Sequence, residues 1–341
     1  MALATHTPST WDELLSTTMH NIRNTYADNI FRKRPFLEHL MSNGRLRTVD
    51  GGITIVEPLL YAEGDSDVYT QWKPVTVTPV NTITAAQFSW GLLYATIAIS
   101  GLEEAQNNGR EQIINVLEAK IEQSEQTMRK RLSSMAYGTY TSPNNPGAEW
   151  TGLPTLIDAT ASAGGINPSG ETWWKSYVVA SVGAVDAAGL ESALRTAVMT
   201  TSDSGGDEVD AIFTDPATYA FYESTLTPQV RYTDTNKANL GFRNLLFENV
   251  PIMWDADCPA GTAFGINSKY CGMVVHKDRN FQQSAFTPNL SGSVSSTASP
   301  GVGAASATGL DARVAFITTY GNFTIRNRRR CFKLAGISKA P

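Results

Sequence analysis

The stretch from residue 88 to residue 138 constrains this chain more than any other. An alternation of large apolar with small or polar residues, Phe88-Ser-Trp90-Gly-Leu92-Leu-Tyr94-Ala-Thr-Ile97-Ala-Ile99, reads as a strand. It runs into Ser100-Gly101-Leu-Glu103-Glu104-Ala-Gln-Asn107-Asn108-Gly109. From there to Gly138 there is neither proline nor internal glycine. Ile113, Leu117, Ile121, Met128, Leu132 and Met135 recur at spacings of three, four and seven, which puts them on one stripe of a helix. Asn107 or Asn108 can cap its start. Glu103, Glu104 and Glu111 lie near the positive end of the dipole, and Arg129, Lys130 and Arg131 near the negative end. A single helix of nearly thirty residues is about 40 Å long, well above the usual three to four turns. Its apolar stripe is narrow, with Glu118, Glu122, Gln123, Glu125 and Gln126 on the other faces. A long amphipathic helix lying across an ordinary sheet fits this pattern, and so does a coiled-coil dimer segment. Catalytic residues tend to sit on loops, so a beam attached to an extended arm points toward building rather than reacting.

A chain of 341 residues makes one large domain or two of ordinary size. The net charge of −5 excludes a global polycation for nucleic acid, but the charge is unevenly placed. Arg23, Arg32, Lys33, Arg34, Arg45 and Arg47 make the N-terminal region basic, and Asp50, Glu57, Glu63, Asp65 and Asp67 make the next acidic. Arg326, Arg328, Arg329 and Arg330 form a second basic cluster. Each can be a solvated face, or the alternating signs can pair neighbouring subunits. Cys258, Cys271 and Cys331 lack metal-ligand spacing and read as small buried thiols of a reducing compartment. The first residues lack a signal-peptide pattern, and no apolar run approaches the eighteen or so residues that span a bilayer. The expectation is a soluble protein made in a cytosol, with no membrane partner.

The punctuation of the chain gives an α+β organisation. Residues 1 to about 47 read as an extended arm with one or two short helices, interrupted at Arg32-Lys-Arg-Pro35 and Ser42-Asn-Gly44. Residues 51–99 read as a long β-hairpin. Gly51–Val56 with Pro58–Tyr61 goes out, Thr84–Ile99 returns, and a polar, proline-interrupted tip lies between them. A two-stranded hairpin of that length is marginal in water unless it lies on something, and a neighbouring subunit is a natural support. Thr141–Gly147 is a loop. Residues 150–265 then mix helices and strands: an amphipathic helix from Asp186 to Thr200, a buried strand Asp210–Phe213, a helix started by Pro216, and strands at Leu245–Phe247 and Val250–Met253. Strands return over 262–282 and 311–334, around a Ser/Gly/Ala-rich excursion at Ser291–Thr308. Residues 150–265 thus read as inserted into a domain made by the long helix and the late strands.

This order resembles that of the major capsid proteins of tailed bacteriophages, the Hong Kong 97-type family. The phrases carrying the likeness are Gly51-Gly-Ile-Thr-Ile-Val-Glu-Pro-Leu59, Ile99-Ser-Gly-Leu-Glu-Glu-Ala-Gln-Asn-Asn-Gly109 and Gly152-Leu-Pro-Thr-Leu-Ile-Asp158. With them stand Gly164–Trp174, Tyr222–Tyr232 and Gly241–Pro251. The resemblance covers nearly the whole chain and rests on co-occurrence in order. It implies an N-terminal arm over 1–47, an E-loop hairpin over 48–99, and the spine helix of a peripheral domain over 100–149. It further implies an inserted axial domain over 150–265, peripheral strands over 266–330 and a C-terminal return over 331–341. The implied function is self-assembly into hexamers and pentamers of an icosahedral shell around double-stranded DNA. Implied partners are further copies of the chain, a portal at one vertex and a decoration protein. Because no long helical scaffold domain precedes the arm, a separate scaffolding protein is also expected. Some members cross-link an E-loop lysine to a peripheral-domain asparagine of a neighbour. Lys73 and Asn280 stand at comparable places, but no catalytic glutamate can be matched to them.

The motifs of common chemistries are missing, and no catalytic, cofactor-binding or metal residue is assigned. There is no His-Glu-x-x-His, paired-cysteine motif, Walker loop or Gly-x-Ser-x-Gly, and Gly301-Val-Gly303 lacks the third glycine of a dinucleotide loop. His6, His20, His39 and His276 are dispersed. Asp65 with Asp67, Asp203 to Asp210, and Asp255 with Asp257 can touch a divalent cation, or be solvated acidic loops. DNA contact is expected only through nonspecific attraction of phosphate to the basic arm. An encapsulin-like nanocompartment shell is the structural alternative, and a cytosolic α+β enzyme or ligand-binding protein the alternative of another class.

Overall fold

The computed structural model describes residues 34–72, 79–106, 116–145, 147–202, 207–226, 245–284, 287–288 and 312–340. The chain starts there with α1 (Pro35–Ser42) and β1 (Leu46–Val49), followed by β2 (Ile55–Leu60), β3 (Ile83–Phe88) and β4 (Gly91–Ser100). Next come α2 (Gly101–Gln106), α3 (Val116–Ala136), the single turn α4 (Leu153–Leu156), β5 (Tyr177–Val179) and β6 (Gly183–Val185). Then follow α5 (Ala187–Thr201), β7 (Ala211–Thr214), α6 (Pro216–Thr225), β8 (Leu245–Phe247), β9 (Val250–Trp254), β10 (Ala263–Ile266) and β11 (Cys271–His276). Short β12 (Gln282–Gln283) and β13 (Thr287–Pro288) precede the long β14 (Ala312–Ile325), β15 (Phe332–Leu334) and β16 (Ile337–Lys339). The α+β class expected from the sequence is the class observed.

Two compact units form. In the smaller one, whose described parts are 96–106, 116–124, 287–288 and 312–315, the start of α3 is tied to β4 by side-chain bonds. Lys120 Nζ donates to the Ala98 carbonyl at 3.1 Å and to Glu103 at 2.6 Å, and Ser124 Oγ donates to the Thr96 carbonyl at 3.3 Å. These are polar, exposed contacts.

The larger unit carries two large sheets besides the two-stranded pairs β2-β3 and β6-β16. In one, β1 pairs in parallel with β11, and β11 runs antiparallel to β14 with Cys271 opposite Ile325 and Met273 opposite Phe323. The other has the order β5-β15-β10-β7-β9-β8. Its core, Leu190, Leu194, Ile212, Tyr222, Ile252 and Phe332 among others, is formed where α5 and α6 cover the strands. The helix starts follow from the sequence. Asp186 accepts from the Gly189 amide at 2.8 Å, and Asp215 caps α6 ahead of Pro216 at the first helical position. α6 is the crossover that lets β7 and β9 pair in parallel.

Of three expectations, the long helix holds over the described residues and two others change in the structure. The long helix is helical over Val116–Ala136, and Met128, Leu132 and Met135 are buried as the stripe requires. Ile121 is half-buried, while Ile113 and the capping asparagines lie outside the described residues. The helix ends as expected at Gly138, whose φ of +65° belongs to a Schellman turn: its amide reaches the Met135 carbonyl, and the Thr139 amide reaches that of Ser134. Second, Thr84–Ile99 is not one return strand. β2 pairs with β3 alone, Ile55 opposite Phe88 and Leu60 opposite Ile83, and after Ser89-Trp90 the chain joins the other sheet as β4. Third, residues 34–47, read as arm, lie partly in the core. α1 buries Phe36, Leu37 and Leu40, and Phe36 lies within 5.8 Å of the Tyr137, Phe213 and Phe323 rings. The Ser291–Thr308 excursion falls outside the described residues.

Candidate assembly interface

The β2–β3 hairpin shows two faces because side chains alternate along a strand. Ile55, Glu57 and Leu59 are buried, whereas Val56, Pro58 and Leu60 point outward. The Leu60–Ile83 pair at the open end is 79% and 69% exposed. Beyond it the chain leaves as an arm carrying Val68 (90% exposed), Tyr69 and Trp72 (94% exposed), with Val80 on its way back. Trp72 has a left-handed backbone, φ +73°, which is uncommon for a bulky residue. Outward from β4 stand Leu92 and Tyr94, both more than half exposed. Large apolar side chains left exposed, as along this arm, are a feature of surfaces that meet another protein.

The hairpin's base is rigid. Gly164 accepts from the Gln87 amide at 2.9 Å, and a Cβ on Gly164 would meet that of Ala86 at 2.7 Å, so only glycine fits. The Tyr61 ring packs 5.4 Å from that of Trp173. Asn322 holds the corner at Ser89: its amide donates to the Ser89 carbonyl at 2.8 Å and to Thr151 Oγ1 at 3.1 Å, while its oxygen accepts from the Thr151 amide at 2.7 Å. Trp150 fills the space beside Gly91 and Gly321, where an added Cβ would stand 2.3 Å and 2.7 Å from the indole. The same two glycines and Asn322 explain why the return strand breaks. Glu57, 2% exposed, accepts from Arg47 at 2.9 Å and pairs with Arg326 at 3.4 Å, which compensates its burial.

Buried polar groups dock α1. Arg34 pairs with Asp257 at 3.1 Å, and His39 Nε2 lies 2.9 Å from Ser268 Oγ, 3.0 Å from Asn43 Nδ2 and 3.6 Å from Asp210. Serine, histidine and aspartate meet here, but the serine and the acid share one ring nitrogen. A nucleophilic triad needs the acid on the other nitrogen, so this trio locks α1 in place instead. Asp255, fully buried, has its carboxyl pushed up to about 6, first by burial and then by the charge of Asp257. A carboxyl whose folded pKa lies above its usual ~3.9 binds more protons folded than unfolded, so it lowers stability as pH rises from about 4 through 6. Asp255→Asn should therefore match wild type near pH 4 and exceed it by about 3 kcal/mol above pH 7. Denaturant unfolding across that pH range checks this; parallel profiles for the two proteins would refute it.

The second basic cluster is neither a solvated face nor a subunit contact as a whole, because its central residue is internal. Arg328 is 0% exposed and donates to three carbonyls: Leu156 at 2.8 Å, Thr155 at 2.9 Å and Ala161 at 3.0 Å. Burial brings its guanidinium down to about 10, still protonated at neutral pH. Arg330 reaches the Thr201 carbonyl, and Arg326 meets Glu57. Nearby, burial would raise the Asp158 carboxyl, but amides of Ala161 and Thr160 and the Lys333 ammonium hold it well below the usual range. Cys258, Cys271 and Cys331 are buried free thiols, each pushed up by burial, Cys331 to about 12.

Asp207 pairs with Lys269 and Tyr270, Asp210 faces His39, Asp255 and Asp257 are buried against α1, and Asp65 and Asp67 are exposed. Among the described residues no group of His, Cys, Asp or Glu is placed to hold a metal ion. His276 accepts from the Asp278 amide. Asn280 is exposed, whereas Lys73, Asp203, His6, His20, Gly301 and Gly303 lie outside the described residues. No described helix is long and apolar enough to cross a membrane.

Taken whole, this is the fold of tailed-phage capsid proteins. The chain superposes on the capsid protein of cyanophage A-1(L) with a TM-score of 0.64 at 16% identity, covering 94% of this chain and 98% of that one. A capsid protein of a native GTA particle matches with a TM-score of 0.64 at 11% identity over 99% and 100% of the two chains. That of Myoviridae phage XM1 matches with a TM-score of 0.57 at 10% identity over 93% and 96%. No curated protein sequence matches the chain. The family model described as SU10 major capsid protein matches residues 92–289, more than half of the sequence, and the chain belongs to that family. It is a phage capsid shell protein and a component of the virion.

Proposed function

We propose that this protein is the tile of an icosahedral shell, built from hexamers and pentamers, that encloses the double-stranded DNA of a tailed phage. The observation that carries the proposal is the hairpin arm. A rigid base, fixed by Glu57, Gly164 and Asn322, projects Leu60, Val68, Tyr69 and Trp72 where the subunit itself gives them no cover. In a self-assembling shell that apolar surface is buried by an adjacent subunit. The segment roles follow the same reading: arm over 1–47, E-loop over 48–99, spine helix over 100–149, axial domain over 150–265, peripheral strands over 266–330 and return over 331–341. The role is architectural rather than enzymatic. Assembly takes place in the host cytoplasm with a separate scaffolding protein, a portal occupies one vertex, and DNA is met only through nonspecific phosphate contacts.

Electron microscopy and analytical ultracentrifugation of the purified protein, alone and with its scaffold, test this. Capsomers or megadalton shells are expected. A monodisperse monomer under every assembly condition would overturn the reading.

A further inference from the structure

The start of α1 is held by buried acids of another element rather than by a cap of its own. Arg34, the residue before the helix, makes no side-chain bond to its amides. Asp255, on the turn after β9, accepts instead from the Phe36 amide and, through Oδ1, from the Asp257 amide at 3.1 Å. Arg34 in turn pairs with Asp257 at 3.1 Å. The charged and titratable groups around Asp255 are Arg34 before α1, Tyr137 just after α3, and Asp257 and Cys258 on its own turn. Asp215, at the end of β7, faces Cys258.

This cluster has more acceptors than donors. Asp255 Oδ2, Asp215 Oδ1 and the Tyr137 hydroxyl have no hydrogen-bond partner among the described residues, and Asp257 Oδ2 has only its ion pair with Arg34. Three carboxyl groups thus surround one guanidinium, and Asp255 and Tyr137 have no exposed surface. A proton on Asp255 supplies a donor and removes a charge that burial disfavours. Burial pushes the Tyr137 hydroxyl and the Cys258 thiol up, so neither loses its proton near neutral pH.

We propose that Asp255 is a proton-operated latch on α1: neutral, it keeps the helix docked, and ionised, it lets the helix swing out while the rest of the subunit stays folded. Gly44 provides the hinge. It has φ +64° with open space where a side chain would stand, and β1 beyond it stays paired with β11. The opening unit is small, with Phe36, Leu37 and Leu40 as its buried apolar anchors. Docking favours the neutral carboxyl, so the docked helix is most stable below about pH 4 and loses stability as pH rises through about 6. In sequence α1 follows residues 1–33, so the latch sets how firmly their point of attachment is held. The device belongs to the single subunit and does not depend on the shell reading.

Hydrogen exchange of the unassembled subunit, with the intrinsic pH dependence divided out, tests it. From pH 5 to pH 7.5 the amides of Glu38 to Asn43 should open about tenfold more often in wild type and no more often in Asp255→Asn. At both pH values they should exchange faster than the amides of α5 and α6, which mark opening of the whole core. Wild-type opening that does not change with pH, an unaltered pH response in Asp255→Asn, or α1 amides that open only together with those of α5 and α6 would each overturn the proposal. Should Asp255→Asn not fold, the Asp255 carboxyl carbon of wild type decides by NMR. Titration near pH 6 in step with α1 opening supports the latch, and titration in the ordinary range near ~3.9 overturns it.

Discussion

Arg328→Met should lower the stability of the subunit by about 4 kcal/mol, a large share of the 5–15 kcal/mol that typically holds a domain together. The side chain has no exposed surface, and its three donors satisfy the carbonyls of Thr155, Leu156 and Ala161. Methionine fills similar volume but leaves three buried acceptors without partners, each costing about 1–3 kcal/mol. The loss is more than a truncation, because α4 and the loop after it have no other described group to bind the Thr155 and Leu156 carbonyls at the helix end. Arg328→Lys keeps the charge but not the planar fork, so it should recover less than half of the deficit. Thermal melts of unassembled subunits read both, with a fall on the order of 10 °C expected for Arg328→Met. A melting point within about 2 °C of wild type would show that the carbonyls find other partners and that the staple is not structural.

The same residue marks where sequence reading stops. In Arg326-Asn-Arg328-Arg-Arg330 nothing distinguishes the internal arginine from its neighbours, since the carbonyls that accept it lie some 170 positions earlier. Local signals were faithful where local physics decides. Asp186 and Pro216 announced α5 and α6, Gly138 announced the end of α3, and the alternation after Gly91 gave β4. The break of the hairpin's return strand was not legible as such, because it is imposed by Asn322 and Trp150 from distant parts of the chain. A partial signal existed: glycine inside a strand, as at Gly91 and Gly321, marks close approach of something large. α1 was also readable in principle. Pro35 at its first turn and Phe36, Leu37 and Leu40 on one face form a helix start, obscured by the surrounding basic residues. For the assembly surface, the proline-interrupted tip was visible, but the exposure of Trp72 and the burial of Glu57 are properties of the fold.

Replacing residues 62–82 by Asn-Gly should abolish shell formation while leaving the subunit folded. Leu60 and Ile83 already face each other, so Tyr61-Asn-Gly closes a three-residue hairpin loop with glycine at the left-handed position. Tyr61 keeps its packing on Trp173, and the buried Ile55, Glu57 and Leu59 are untouched. The removed arm gives the isolated subunit little apolar burial, because Val68, Tyr69 and Trp72 are exposed in it. Unfolding free energy should therefore change by no more than about 1 kcal/mol, within the range of surface substitutions. Between subunits the balance differs. Covering those three side chains removes on the order of 400 Å² of apolar surface from water, about 10 kcal/mol gross at ~25 cal/mol per Å². Ordering the arm and associating the subunits offset much of that, so one contact is weak by itself. Around a closed shell each tile both gives and receives an arm, and weak contacts made together become strong. Loss of the arm removes this from every junction at once, and shell yield should fall at least tenfold, to individual subunits or small oligomers by sedimentation. Disappearance of cooperative unfolding in the shortened subunit would show that the arm belongs to the tile's own core. Shells at wild-type yield would show that the junctions are made elsewhere.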